Sequence, residues 1–175
     1  YWGVREEQID VVHNGIPSVW WESVSVEKKG GVLDKFKLHK PFLLFVGTLQ
    51  PRKNVARIIE AYKNLPVELR QYYKLVIAGS AFPGSEKLIS EINSLASQGQ
   101  VMWLNYVSNE DLRVLYQQAS LFVFPSLAEG FGLPIVEAFA SKTPVMTSNR
   151  GAMAEVAGDA ALLVDPYDVE QMTYA

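Results

Sequence analysis

The residues of this sequence with the clearest chemical potential are two glutamates, Glu129 and Glu137, eight positions apart around two glycines. Carboxylates accept hydrogen bonds from sugar hydroxyls, and glycine lets the backbone approach a ligand without a side chain in the way. Pro134 suits the first turn of a helix, so the N–H groups of residues 131–133 would cluster at the positive end of that helix. We therefore expect a site for a hydroxyl-rich, anionic ligand. The alternative, a helix-start glutamate and an exposed one, stays open here.

A basic pair, Arg52 and Lys53, lies in the segment GTLQPRKN at residues 47–54. Asn54 is a plausible N-cap for the following helix, so both cations would lie just outside its positive end. Cations are unfavourable there, by a few tenths of a kcal/mol to about 1 kcal/mol, unless an anion neutralises them. Helix N–H groups combined with arginine and lysine form a good phosphate site. Two solvated basic residues, both exposed, would explain the same pattern.

Other motifs in the sequence carry weaker signals. The segment GSAFPG at 79–84 is a glycine turn after a strand, and His13 and His39 look isolated from carboxylate partners. Neither the G-x-G-x-x-G fingerprint of dinucleotide enzymes nor a P-loop occurs in the sequence. The chain has no cysteine, which excludes disulfides and thiolate metal sites. We expect no metal and no resident cofactor.

The composition describes an ordinary globular chain. It has 175 residues, of which 49% are hydrophobic and 20% charged, and a net charge of −3. This length favours one domain. The mildly acidic balance gives no electrostatic case for binding nucleic acid or an anionic membrane. No apolar run approaches the roughly 20 residues that span a bilayer. We expect a cytoplasmic protein without a transmembrane segment.

Apolar segments alternate with helical patterns along the chain. This order of predicted strands and helices shows where the two candidate loops lie in the fold. Strands are predicted at 41–49, 73–79, 101–107, 121–125, 144–148 and 160–165, and a further strand and turn at 7–16. Repeated strand–helix alternation favours an α/β fold: a doubly wound, Rossmann-like parallel sheet of about six strands with helices on both faces. Ligands bind beyond the carboxyl ends of such strands, where the two candidate loops would meet.

Three stretches together resemble the C-terminal domain of retaining family 4 (group 1) glycosyltransferases, which have the GT-B architecture. They are GTLQPRKN, NYVSNEDLRVLYQQASLFVFPSLAEGFGLPIVEAFA and EVAGDAALLVDPYD. The central feature is the E-x7-E pattern formed by the two glutamates. The resemblance implies that this domain binds a sugar-nucleotide donor, such as GDP-mannose or a UDP-sugar, without a metal.

The resemblance also implies a role for each matching residue. Arg52 and Lys53 would hold the donor diphosphate, Glu129 would lie near the transferred sugar, and Glu137 would bind ribose hydroxyls. The catalytic set is thus Glu129, Arg52 and Lys53. The remaining binding residues are Phe131, Gly132 and Leu133, whose N–H groups face sugar and phosphate, and Tyr106 and Val107, which lie against the nucleobase.

The resemblance further implies a division of the protein. Residues 1–40 would form an inter-domain strand and linker, residues 41–175 the donor-binding domain, and an N-terminal acceptor domain would be absent. The chain alone would then be inactive, while the whole enzyme would move a hexose to an acceptor hydroxyl with retention, in glycan or polysaccharide biosynthesis. Two departures from the family pattern are Ser141-Lys142, where Cys-Gly is frequent, and Met153, where proline is common.

Other functions fit parts of the pattern. One alternative is a non-catalytic sugar-nucleotide-binding module, but the intact set of two cations and two glutamates favours an enzyme, since folding needs none of the four. Another is a GT-B epimerase or phosphorylase-like enzyme, whose chemistry would also depend on the absent domain. A glycosidase fits less well, because hydrolases need carboxylates that face each other across a cleft, whereas these two share one loop–helix segment.

Overall fold

The computed structural model describes residue 3 and residues 5–175. Six strands form one parallel sheet: β1 (Phe42–Val46), β2 (Lys74–Ala78), β3 (Val101–Trp103), β4 (Leu121–Phe124), β5 (Val145–Ser148) and β6 (Leu162–Val164). The helices are α1 (Val26–Lys35), α2 (Val55–Asn64), α3 (Val67–Tyr72), α4 (Glu86–Ser97), α5 (Asn109–Gln118), α6 (Leu133–Ala140), α7 (Gly151–Ala157) and α8 (Val169–Tyr174). The six strands predicted from residue 41 onward are confirmed. None of the helices in these residues is long and apolar enough to cross a membrane.

The strand order is β3-β2-β1-β4-β5-β6, which confirms the doubly wound, Rossmann-like sheet. The order of connection reverses between β1 and β4, whose pairing begins at Leu43 and Leu121. In such sheets a crevice opens at this switch point, beyond the carboxyl ends of the two strands. The loops after β1 and β4 are the two candidate loops of the sequence, so the topology brings them to one place.

The core under this crevice is aromatic. The rings of Phe122 and Phe124 on β4 lie 5.5 Å apart, and Phe45 on β1 stacks on Phe124 with centroids 6.2 Å apart. All three side chains are fully buried. Continuous apolar strands are expected when both faces of a parallel sheet are covered, and the burial of these rings makes the floor of the crevice rigid.

The strand predicted at 7–16 is wrong. A 3-10 turn occupies Glu6–Gln8, and irregular, exposed backbone follows it. Val12 in this segment is 87% exposed. The segment pairs with neither edge of the sheet, and of its apolar residues only Ile16 packs against the core.

Helix α1 was not predicted from the sequence. Two consecutive glycines, Gly30 and Gly31, lie inside it and lower its intrinsic helix propensity. Tertiary contacts stabilise the helix instead. Its Val32 is buried, and Lys28 and Lys35 form ion pairs of 2.7 Å and 2.6 Å with Glu110 and Asp111 of α5. Helix α1 therefore packs onto the same unit as the sheet.

The two departures from the family pattern lie at the end of α6 and at the start of α7. Lys142 adopts a left-handed backbone conformation with φ 59°, directly after α6. The N–H of Thr143 donates to Ala138 O and that of Lys142 to Phe139 O, both at 2.9 Å, which is the hydrogen-bond pattern of a Schellman motif. Glycine is favoured at this position because it has no Cβ. Met153 is buried inside α7, which begins at Gly151 without a proline.

We expect Lys142→Gly to raise the free energy of unfolding by about 1 kcal/mol, since a left-handed conformation costs a non-glycine residue roughly 1–2 kcal/mol. Urea denaturation would measure the change. Lys142→Ala is the matched control, because it removes the charge but keeps the strained Cβ. If alanine stabilised the chain as much as glycine, backbone strain would not be the cause.

Candidate functional site

The two cations and the first glutamate form an ion-pair cluster at the switch point. Arg52 Nη1 lies 2.7 Å from Glu129 Oε2, and Lys53 Nζ lies 2.7 Å from Glu129 Oε1. The side chains of Lys53 and Glu129 are only 11% and 10% exposed, whereas that of Arg52 is 45% exposed. The prediction that both cations are exposed is therefore wrong for Lys53. The anion that the basic pair needs comes, in this structure, from the protein itself.

The loop after β1 positions both cations. Its end forms a 3-10 turn, Pro51–Lys53, directly before α2. The N–H of Leu127 donates to Arg52 O at 2.7 Å, and Arg52 Nη1 donates to Ala128 O at 3.1 Å. Lys53 Nζ also lies 4.9 Å from the centroid of the Phe124 ring, a favourable cation–π distance. Backbone and side-chain contacts thus join the loops after β1 and β4.

Asn54 has a different role from the one predicted. It occupies the N-cap position of α2, but its side chain makes no capping hydrogen bond. Its backbone is left-handed, with φ 63°, and its buried Nδ2 donates to Pro125 O at 3.0 Å and Pro166 O at 2.6 Å. Asn54 therefore connects the loop after β1 to the loops after β4 and β6. Asparagine is enriched in left-handed conformations, which is the one sequence signal for this role.

Burial and the neighbouring positive charges have opposite effects on the pKa of Glu129. Burial alone would raise its pKa, but the ammonium of Lys53 and the hydrogen-bonded guanidinium of Arg52 outweigh burial and hold the pKa below its ordinary value. Ionised Glu129 therefore stabilises the folded chain at neutral pH, and this stabilisation is lost as the pH falls through the lowered pKa.

The second glutamate lies about one turn inside α6, as predicted, and the salt bridges of Arg52 and Lys53 among the described residues go to Glu129. Glu137 is half-buried, and its Oε2 accepts a hydrogen bond of 3.1 Å from the hydroxyl of Tyr116 on α5. Burial raises the pKa of Glu137, and the hydrogen bond from Tyr116 opposes that rise. The two glutamates thus occupy electrostatically different environments. Sequence reasoning missed Tyr116, because its spacing fits the apolar stripe of α5.

The glycine loop between the glutamates leads into α6. Gly132 has φ 109° at the N-cap position, and a Cβ there would lie 3.3 Å from Ile135 Cδ1. Pro134 lies in the first turn of α6, as predicted. None of the described residues accepts a hydrogen bond from the N–H groups of Phe131 and Gly132. Leu133 is the first helical residue and is exposed. Two N–H groups at the positive end of the helix are therefore left without an acceptor among the described residues.

The predicted nucleobase residues are not brought to this cluster. Tyr106, which is 81% exposed, and Val107 follow β3, which β2 separates from β1. They lie at the same edge of the sheet but make no hydrogen bond to the cluster.

The glycine turn GSAFPG at 79–84, after β2, has a structural role at its first residue. A Cβ on Gly79 would lie 1.9 Å from Gly47 O, so only glycine allows this approach of the loops after β1 and β2. Gly79 O also accepts a hydrogen bond of 2.7 Å from Trp103 Nε1. These contacts explain the glycine without a ligand.

The histidines are less isolated than predicted. His13 Nε2 lies 3.6 Å from Glu155 Oε1, and His39 Nδ1 lies 3.7 Å from Asp34 Oδ1, all on the surface. The ring of His13 lies 5.9 Å from that of Phe131, so the N-terminal segment lies near the glycine loop. Among residue 3 and residues 5–175, no group of three or more potential ligands could hold a metal ion.

Comparisons with known proteins identify a family and several relatives. The family model described as glycosyl transferases group 1 matches residues 34–175. The O-antigen chain mannosyltransferase B of Escherichia coli is 41% identical over 143 residues, which make up 81% of this chain and 38% of that protein. This chain therefore spans about two fifths of the length of that relative.

Solved structures show the same fold. Anabaena HepE in complex with UDP and glucose has a TM-score of 0.81 at 22% identity, covering 98% of this chain and 47% of the other. The C-terminal domain of LpcC, a glycosyl transferase group 1 family protein of Francisella tularensis, has a TM-score of 0.73 at 24% identity, covering 91% of this chain and 85% of the other. At these identities the likeness concerns the fold, a Rossmann-like half of the GT-B architecture.

Proposed function

Because this chain belongs to the glycosyl transferases group 1 family, we propose that it binds the sugar-nucleotide donor of a retaining hexosyltransferase. The observation that carries the proposal is the ion-pair cluster at the switch point. Arg52 and Lys53 converge on one carboxylate, at 2.7 Å each, and that carboxylate stands on the loop that leads into α6. A diphosphate at this position would replace Glu129 as the partner of both cations. Charge-assisted hydrogen bonds of this kind are the strong ones in phosphate recognition.

The proposal gives each part of the site a separate contact with the donor. Glu137, on α6, binds the ribose hydroxyls. Glu129, on the glycine loop, binds the transferred sugar once the diphosphate has taken its place as the partner of the cations. The free N–H groups of Phe131 and Gly132 serve the sugar and phosphate oxygens. Tyr106 and Val107, at the same edge of the sheet, contact the base. The cations and the helix end stabilise the leaving diphosphate, so a metal ion is not needed for this step.

Mannose is the first candidate for the transferred sugar, and polysaccharide biosynthesis the first candidate for the process. The support is the 41% identity to an O-antigen chain mannosyltransferase. The candidate donors are GDP-mannose and UDP-sugars. Since the chain spans 38% of that relative, we propose that acceptor binding and turnover need a further domain facing the crevice.

Calorimetric titration of the chain with GDP, UDP, ADP and their sugar conjugates tests this function. We expect one nucleotide series to bind. Glu137→Gln should weaken binding of the nucleoside diphosphate and of its sugar conjugate alike, by roughly tenfold or more, since a hydrogen bond to a charged group is worth about 1.5–3 kcal/mol. Ribose is common to both ligands, which is why both should lose affinity.

Glu91→Gln is the matched control, because Glu91 pairs with Lys63 on α2 at 2.9 Å, remote from the switch point. It should leave every affinity unchanged. The proposal fails if the unsubstituted chain binds no nucleotide, or if Glu137→Gln and Glu91→Gln have equal effects.

A further inference from the structure

Tyr116 is a fully buried tyrosine whose hydroxyl meets a carboxylate of the proposed site. Its hydroxyl donates to Glu137 Oε2 at 3.1 Å. The edge of its ring packs against Trp20 at 5.6 Å between centroids, and the ring of Phe122 lies 5.0 Å away. A phenol held in this way cannot swing to another acceptor without disturbing the core.

We propose that Tyr116 is a positioning residue, whose hydroxyl holds the Glu137 carboxylate in the orientation that accepts the ribose hydroxyls of the donor. This inference rests on the proposed function. A glutamate side chain loses conformational entropy when it is fixed, and a tyrosine that fixes the carboxylate beforehand removes that cost from ligand binding. Tyr116 bonds to Oε2, so Oε1 stays available to the ligand.

A second contact makes the arrangement rigid. Thr143 Oγ1 donates to the backbone carbonyl of Tyr116 at 2.5 Å, just beyond the end of α6. The same residue of α5 therefore binds α6 in its middle, through the hydroxyl, and at its end, through the carbonyl. A change in the hydroxyl alone, Tyr116→Phe, would remove the first contact and keep the second.

The hydrogen bond also affects the protonation of Glu137. Burial raises the pKa of this carboxyl, and the phenol lowers it by stabilising the charged form. Without the phenol the pKa rises further, so the carboxylate protonates at a higher pH. Because the ionised carboxylate is the better acceptor for two hydroxyls, affinity for the nucleotide falls as the pH drops through the Glu137 pKa.

The other charged groups on the elements packed against Glu137 have partners of their own. On α5, Glu110 and Asp111 pair with Lys28 and Lys35, and Arg113 donates to Glu22 O. On α7, Glu155 lies near His13. Helix α6, strands β4 and β5 and the turn Ser18–Trp21 carry no other titratable side chain. Tyr116 is thus the group on these elements that acts directly on Glu137.

The test is Tyr116→Phe, with Tyr62→Phe as the matched control. Tyr62 is also buried, but its hydroxyl faces only backbone carbonyls, those of Arg70, Tyr73 and Gln100, all within hydrogen-bond distance. We expect Tyr116→Phe to weaken nucleoside-diphosphate binding at neutral pH by roughly tenfold and to move the acid limb of the affinity profile to higher pH. Tyr62→Phe should do neither. In a Glu137→Gln background, Tyr116→Phe should cause little further loss.

Carbon-13 NMR titration of the Glu137 carboxyl, without ligand, separates this inference from the proposed function. A higher Glu137 pKa in Tyr116→Phe, together with the affinity loss, supports the positioning role. An unshifted titration with unchanged affinity overturns it and leaves the nucleotide site intact. Equal affinity losses in the two tyrosine variants also overturn it. If the unsubstituted chain binds no nucleotide, the proposed function fails, and the ribose-binding role of Glu137 fails with it.

Discussion

The double substitution Arg52→Ala, Lys53→Ala should weaken nucleoside-diphosphate binding by roughly 3–6 kcal/mol, because each lost hydrogen bond to a charged group is worth about 1.5–3 kcal/mol. Both cations reach the same point at the switch between β1 and β4, where one carboxylate now lies 2.7 Å from each. Calorimetric titration of the variant with the preferred nucleotide would measure the loss. Lys63→Ala, which removes an ammonium on α2 paired with Glu91, is the control and should change nothing.

The same double substitution should also destabilise the fold, in contrast to what exposed cations would predict. Glu129 would stay in a site where its side chain is 10% exposed, without its two partners. Removing one partner of a buried ion pair costs up to roughly 3–5 kcal/mol in other proteins. With burial unopposed, the pKa of Glu129 would rise above its ordinary value, so the penalty would grow as the pH rises through that raised pKa and would be smallest at acid pH.

Adding Glu129→Gln to the double variant separates stability from binding. The neutral amide should recover most of the lost stability, since no unpaired charge remains, but it should not recover nucleotide affinity. Thermal unfolding and calorimetry on the same samples would show both. Unchanged affinity in the double variant would mean that the diphosphate binds elsewhere, and affinity that returned with Glu129→Gln would mean that the loss came from misfolding.

Glu129→Gln alone should have opposite effects on two ligands. The diphosphate has to compete with Glu129 for the cations, so removing the carboxylate charge should keep or tighten binding of the free nucleoside diphosphate, by up to about 1.4 kcal/mol, which is tenfold. The complete sugar nucleotide should lose its extra affinity over the diphosphate, because the contact to the transferred sugar is gone. Calorimetric titration with both ligands would measure the ratio of their dissociation constants.

In a two-domain enzyme that contains this chain, Glu129→Gln should reduce kcat/KM for the donor more than it reduces donor affinity. Such a difference identifies an interaction made mainly in the transition state. Glu137→Gln is the comparison, since it should weaken binding of the free nucleoside diphosphate and of the sugar nucleotide alike. If Glu129→Gln weakened binding of the free nucleoside diphosphate as much as Glu137→Gln does, the assignment of Glu129 to the transferred sugar and Glu137 to the ribose would be wrong.

The sequence alone determined the sheet and the loops that matter. Apolar runs such as residues 41–49 and 121–125 bury both faces of a parallel sheet, so their pattern is local and readable. Pro134 and the glycines around it similarly specify the start of α6. The strand predicted at 7–16 failed because an apolar pattern does not reveal whether a neighbouring strand is there to pair with. Helix α1 was missed because contacts with α5, and not its own propensity, stabilise it.

The electrostatics of the site were decided only by the tertiary structure. Arg52 and Lys53 are 77 and 76 residues from Glu129, and nothing in their spacing shows that the carboxylate would neutralise them or that Lys53 would be buried. Tyr116 and Asn54 look like a core residue and a helix cap, yet one binds Glu137 and the other joins three loops. Residue type and spacing encode local conformation, whereas charge pairing and burial depend on which distant segments the fold brings together.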